Sequence, residues 1–374
     1  MEGCGGRLRI SLIYLVHCPI LRSVNPELKT SVDVSGSFAA DLHEVLREAA
    51  GRGPLATDEM TGATVVLRQG DLEKLAHDHR LLGIGLTLFD MMGIADGPLR
   101  DWYRGLMFTT DGDYHRRIRS LVSRAFTPRS VETLRAAAAD MAAAAVASVQ
   151  HGGDLVEAFS ALATRLIWTT RRANDPASDL VTALLAAEAD GERLTHAETV
   201  NMIANLLVAG HDTVGSQIPC STLVALQHHE QLTGVHGGAV RLASATAETM
   251  RLEPSIPIIP RTAVAPIDLH NTTIPAGSMV FLCIAAACRD ETSWREPDRF
   301  DPDRFTKSDT AKLLNFGAGT HYCLGTALAK IAVEESLRAV LGADPQLRLA
   351  ENPADIPWRQ VLGRSPTRLL VRPN

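Results

Sequence analysis

Phe316-Gly317-Ala318-Gly319-Thr320-His321-Tyr322-Cys323-Leu324-Gly325 is the stretch best suited to chemistry in this chain. Two glycines in a turn let the backbone take positive φ and let a flat ligand approach closely. Cys323 follows them, then Gly325 and an apolar run, Thr326–Leu341, that reads as a helix. A thiolate at a helix start is stabilised by unpaired amide N–H groups and the helix dipole. The pattern describes an anionic sulfur ligand beneath a planar metal cofactor, whereas an isolated cysteine would be a small buried hydrophobe. A second candidate is Asp111-Gly112-Asp113-Tyr114-His115-Arg116-Arg117-Ile118-Arg119, which opens a helix. His115 and Arg119 are four apart and share one face, which suits a carboxylate partner; the plainer alternative is a solvated basic face. The third is Ala209-Gly210-His211-Asp212-Thr213, where a carboxylate and a hydroxyl are adjacent. Gly210, Gly215 and Pro219 weaken the surrounding helix, so a distorted turn able to hold water is expected there.

These groups must be positioned by longer elements. Thr195-x-x-Glu198 is a capping box that opens an apolar helix from Leu194 to about Gln227, roughly 50 Å long. Ser130–Val149 is alanine-rich and helical, Asp154–Ile167 reads as a second amphipathic helix, and Ser244–Leu252 is a helix stopped by Pro254. Glu248 and Arg251 are three apart and can pair on one face. Strands are expected at Ala63–Leu67, Arg261–Ala265, Ile267–Thr273 and Met279–Ile284, with a turn at Pro275-Ala276-Gly277. Residues 30–60 look helical and then turn-like, Asp71–Asp78 a helix with Asp71 as its N-cap, and residues 79–100 a loop.

With 374 residues, 45% of them hydrophobic and 21% charged, the chain is long enough for a large core. A net charge of −6 gives no reason to expect a nucleic-acid partner. Six cysteines without a CxxC pair suggest neither a disulfide scaffold nor a zinc site, and fit a reducing, cytoplasmic setting. Ile10–Val16 is far shorter than the ~20 apolar residues a membrane helix needs, so no membrane span is expected. Residues 1–29 read as an N-terminal extension that need not be ordered, and 30–374 as a single domain.

The Phe316–Gly325 run resembles the haem-binding loop of cytochrome P450, in which a cysteine thiolate is the proximal iron ligand. The resemblance covers most of residues 40–374 and implies a mainly α fold with a minor β region. It further implies haem b (iron protoporphyrin IX) with Cys323 as axial ligand. Phe316, Gly317, Gly319, Gly325, Ala209 and Gly210 would border the haem, and His115, Arg119, Arg261 and His321 would hold its propionates. Lys330 stands where many members carry Arg. Asp212 and Thr213 match the acid–alcohol pair that delivers protons to iron-bound dioxygen, and Glu248, Arg251 and Arg304 a buried structural ion network. The implied activity is a monooxygenase that inserts one oxygen atom of O2 into an apolar small molecule, with electrons from a ferredoxin- or flavin-type donor. Arg116, Arg117 and Arg124 would help to dock that donor.

In one place the chain departs from the family. Between the helix ending near Ile167 and the central helix about 25 residues stand where two lid helices are expected, a shortage of roughly 40 residues. The expectation is a fold truncated there, near Trp168-Thr169-Thr170, with an open distal face covered at most by residues 79–100. The alternative function is then a haem-binding protein with little or no turnover.

Overall fold

The computed structural model describes residues 28–34, 41–124, 126–162, 165–166, 188–189, 192–233, 238–343, 345–361 and 363–374. The expected shortening of the lid falls on residues 167–187 and 190–191, and most of the N-terminal extension on 1–27; both lie outside the described residues.

A single helix, His196–Gln227, runs through the larger, helical part of the molecule. Its start is the expected capping box: the Glu198 N–H donates to Thr195 Oγ1 at 3.2 Å, and the Thr195 N–H donates to Glu198 Oε2 at 2.8 Å. The C-terminal half is buried from Ser216 to Leu226, so its apolar surface is not confined to one stripe. The helices Ala239–Leu252 and Thr326–Leu341 pack against it, and Arg135–Ala147 packs in turn on Thr326–Leu341. Alanines at 138 and 142 let that last pair approach closely, and both are fully buried.

The smaller part is a six-stranded sheet in the order Ser31–Val32, Leu55–Asp58, Thr64–Val66, Met279–Cys283, Ile258–Ala263, Leu81–Gly83. Met279–Cys283 is buried at all five positions because both faces of the sheet are covered, which explains its unbroken apolar sequence. Leu42 and Leu46 of the helix Leu42–Arg52 cover one face, and Leu72 and Leu75 of Gln69–Leu75 cover the other. At the expected Pro275-Ala276-Gly277 turn, Gly277 takes φ +83°, a conformation that favours glycine.

Several expectations are corrected. The central helix is continuous through Gly210, Gly215 and Pro219, with the bounds expected at its C-terminal end. Residues 79–100 are not one loop: they contain the edge strand Leu81–Gly83, the helix Thr87–Met91 and the start of Pro98–Arg104. These pieces are too short for a periodic signal and are held by tertiary contacts, among them the Phe89–Tyr103 ring pair at 4.8 Å. The alanine-rich helix is split at Thr133–Leu134 into Pro128–Glu132 and Arg135–Ala147. Asp71 lies inside its helix rather than at the cap, and its carboxylate meets His270 Nε2 at 2.7 Å. Residues 55–58 form a strand, and Trp358–Val361 and Gly363–Pro366 form a hairpin that the sequence did not announce.

Candidate active site

The turn before Cys323 is set by two glycines in the left-handed region, Gly317 at φ +68° and Gly319 at φ +66°. A Cβ on Gly319 would lie 2.0 Å from the Ala76 carbonyl oxygen, so no other residue fits there. The Cys323 N–H donates to the Phe316 carbonyl at 2.9 Å and closes the loop. The Thr326 hydroxyl donates to the Cys323 carbonyl at 2.8 Å where the helix begins. Cys323 is exposed, unlike Cys220, Cys283 and Cys288, which are buried in apolar packing that pushes their thiols far up. Partial burial also raises the Cys323 thiol, but the Gly325 N–H, the Thr326 hydroxyl and the charge of Arg119 act in the opposite direction.

Cys323 is exposed because it lines a cavity of about 350 Å³. The central helix contributes Ala209, Gly210 and Thr213 to the lining, and a methyl at 209 with no side chain at 210 takes up little of the space. His115, Arg119, Arg261 and His321 also line it, so three distant parts of the sequence converge on one volume. His115 is 1% exposed, and its Nδ1 is buried without a hydrogen-bond partner. Its ring lies 4.5 Å from that of His321. Burial, then the charges of His321 and Arg119, hold its pKa down at about 4. Arg261 is part-buried, donates only to the carbonyl of Pro260 at 2.9 Å, and has its pKa lowered by burial. Arg119 donates to the Tyr322 carbonyl. Among the described residues neither arginine has a carboxylate within ion-pair distance.

Sequence reasoning missed two acidic–basic pairings. His321 Nε2 donates to Asp111 Oδ1 at 2.7 Å, and Asp111 Oδ2 accepts the Gly83 N–H at 3.2 Å. Arg359, on the unexpected hairpin, donates to Asp212 Oδ1 at 2.7 Å and to the Ser216 hydroxyl. A contact between residues 147 apart leaves no local signal in sequence. The Thr213 hydroxyl donates to the Ala209 carbonyl at 2.7 Å, one turn back along its own helix. Phe316 lines the cavity as expected, and Lys330 Nζ lies 5.8 Å from its ring centroid.

Glu248, Arg251 and Arg304 come together away from the cavity. Arg251 donates to both Glu248 oxygens at 2.7 and 2.9 Å, and Arg304 Nε donates to them at 3.0 and 3.1 Å. The remaining guanidinium donors are taken up by backbone carbonyls, including those of Cys288, Pro297 and Arg295. Glu248 and Arg251 are fully buried, and Arg304 is 7% exposed.

The family profile of Cytochrome P450 matches residues 242–342, from the helix carrying Glu248 through the Cys323 loop to the end of the following helix. Cytochrome P450 monooxygenase PikC of Streptomyces venezuelae is 31% identical over 302 residues, which are 67% of this chain and 72% of that protein. The chain belongs to the cytochrome P450 family. It is 37% identical over 206 residues to Cytochrome P450 107B1 of Saccharopolyspora erythraea, a match that spans 54% of this chain and half the length of that relative. The solved cytochrome P450 CYP109Q5 of Chondromyces apiculatus shares the fold, with a TM-score of 0.77 at 24% identity over 92% of this chain and 98% of that one. The ligand-free P450 monooxygenase TamI gives 0.78 over 93% and 95%.

Membership of the P450 family implies a haem-thiolate group, and the residues present fit one. A P450 haem needs an accessible sulfur, and Cys323 is open to the cavity. Its two propionates need donors, and here the wall holds a buried histidine nitrogen with no partner and two arginines without carboxylates. No described helix is long and apolar enough to cross a membrane.

Proposed function

We propose that this P450 is a haem-thiolate monooxygenase whose haem b lies in the cavity, bound through Cys323. The observation that carries this reading is the placement of Cys323 and Thr213 on one cavity together with His115, Arg119, Arg261 and His321. When bound, the haem supplies the activation of O2 and the insertion of one oxygen atom into an apolar small molecule. Electrons come from a ferredoxin- or flavin-type donor, and the working compartment is the cytoplasm.

Each protein group has a derivable task. The Gly325 N–H and Thr326 hydroxyl favour the Cys323 thiolate, and the loop closed by Phe316 holds its direction. His115, Arg119, Arg261 and His321 would hold the propionates, whose negative charge would offset the burial that depresses His115 and Arg261. Ala209 and Gly210 make room for the flat ring. The Thr213 hydroxyl donates backward to Ala209, yet retains acceptor lone pairs for a water or a protonated oxygen in the cavity. To donate a proton into the cavity it must rotate away from that carbonyl. Asp212, adjacent in sequence, can reprotonate it through water once its carboxylate carries a proton. Arg359 fixes where that carboxylate stands.

The absorption spectrum of the purified, reduced protein under carbon monoxide tests the reading. A red-shifted Soret band of the cysteinate type is expected in the parent, and its loss in Cys323→Ser. Persistence of the band in Cys323→Ser overturns the ligand assignment.

A further inference from the structure

Asn205, Ala209 and Thr213 are spaced by four along the central helix, so they form one stripe, and all three line the cavity. Asn205 stands two turns from Thr213 along the helix, and the cavity lining also includes the apolar Met107, Phe108, Leu166 and Leu206. It is 3% exposed, and its Oδ1 is buried with no hydrogen-bond partner. A buried amide left unpaired is destabilising, and most native ones are satisfied. Two other polar residues of the central helix that line the cavity already have protein partners. Gln217 Nε2 donates to the Ser221 hydroxyl and the Glu253 carbonyl, and its oxygen accepts the Ser255 N–H. The Thr213 hydroxyl is directed at Ala209. Asn205 is thus a lining residue of the central helix whose buried oxygen has no partner.

We infer that Asn205 anchors the substrate by accepting a hydroxyl group carried on an otherwise apolar molecule, at the end remote from Thr213. This rests on the monooxygenase reading above and adds a substrate class to it. A hydroxyl both donates and accepts, so it satisfies the amide whichever way the side chain is turned. A hydrocarbon of the same shape leaves the amide buried and unpaired, and sites built around a polar group reject such analogues strongly. The surrounding apolar wall supplies affinity for the body of the molecule, and the amide sets its orientation.

The test uses cyclododecanol and cyclododecane as a matched pair, with dissociation constants measured by equilibrium dialysis on the haem-loaded protein. The quantity read is the ratio of the two constants in the parent, in Asn205→Leu and in Asn205→Ala. Leucine replaces the amide by an apolar group of similar size, and alanine removes it without filling the space. The preference for the alcohol should fall about tenfold in both variants relative to the parent. A ratio that stays within about twofold of the parent overturns the assignment of Asn205 while the reduced carbonyl spectrum still supports the monooxygenase reading. Absence of the red-shifted band in the parent overturns both.

Discussion

Two clusters of buried or half-buried cations sit in this P450, and they are built on opposite principles. Around Glu248 the donors are matched: two guanidinium groups share one carboxylate, and backbone carbonyls take up their other N–H groups. Around the cavity the polar groups are not matched: His115 Nδ1 has no partner, and Arg119 and Arg261 reach only backbone carbonyls. A cluster that is complete within the chain holds the chain together. A cluster that is incomplete is open to a ligand, and in the reading proposed above the haem propionates would complete it.

The contrast is broken most forcefully at Glu248. Glu248→Gln leaves Arg251 and Arg304 buried without a counter-charge and should destabilise the protein by about 3–5 kcal/mol, read as a lower urea midpoint. A loss below about 1 kcal/mol would mean that carbonyls alone neutralise the two arginines. The cavity should respond the other way. Arg261→Gln removes a desolvated charge, so the haem-free protein should be unchanged or slightly more stable, while haem binding weakens by about tenfold or more. A fall in haem-free stability as large as that for Glu248→Gln would erase the distinction between the clusters.

A third cluster lies between these extremes and gives the smallest effect, visible only in acid. Glu253 is ion-paired with Arg364, which lies 3.5 Å above the Trp358 ring, and faces His43 Nε2 at 3.1 Å. Burial pushes the Glu253 carboxyl up, but the neighbouring His43, Arg364 and Arg289 more than reverse this and hold it at about 2. Burial lowers the His43 pKa from its ordinary 6.5. Both shifts act in one direction. His43 protonates more readily in the unfolded chain, so its stability contribution is lost as pH falls below 6.5. Glu253 contributes fully above about 4.5 and loses that contribution as pH falls from there towards 2. Urea midpoints should therefore decline from near-neutral pH downwards, and His43→Gln should flatten the upper part of that decline. An equally steep decline in the variant would assign it to other groups.

Legibility in the sequence followed the range of the interaction. Thr195 and Glu198 form their capping box within one turn, and Thr326–Leu341 has the bounds that its apolar run implied. Glu248 and Arg251 pair within one helix, so their relation could be read from spacing, although Arg304 entered only through the family resemblance. The short elements between 81 and 104 were not legible, because three to seven residues carry no period and their cohesion comes from contacts such as Phe89 with Tyr103.

By itself the sequence determined the local chemistry of the site. Gly319 has to be glycine for the turn, Cys323 stands at a helix start, and His115 and Arg119 share a face, all through bonds and sterics that span a few residues. Only the tertiary structure decided which charges are neutralised and which are left for a ligand. Arg359 reaches Asp212 from a hairpin 147 residues away, while Asp111 takes up His321 and leaves Arg261 without a carboxylate. Desolvation and Coulomb attraction depend on which groups the fold brings within a few ångströms, and side-chain spacing along one chain does not contain that information.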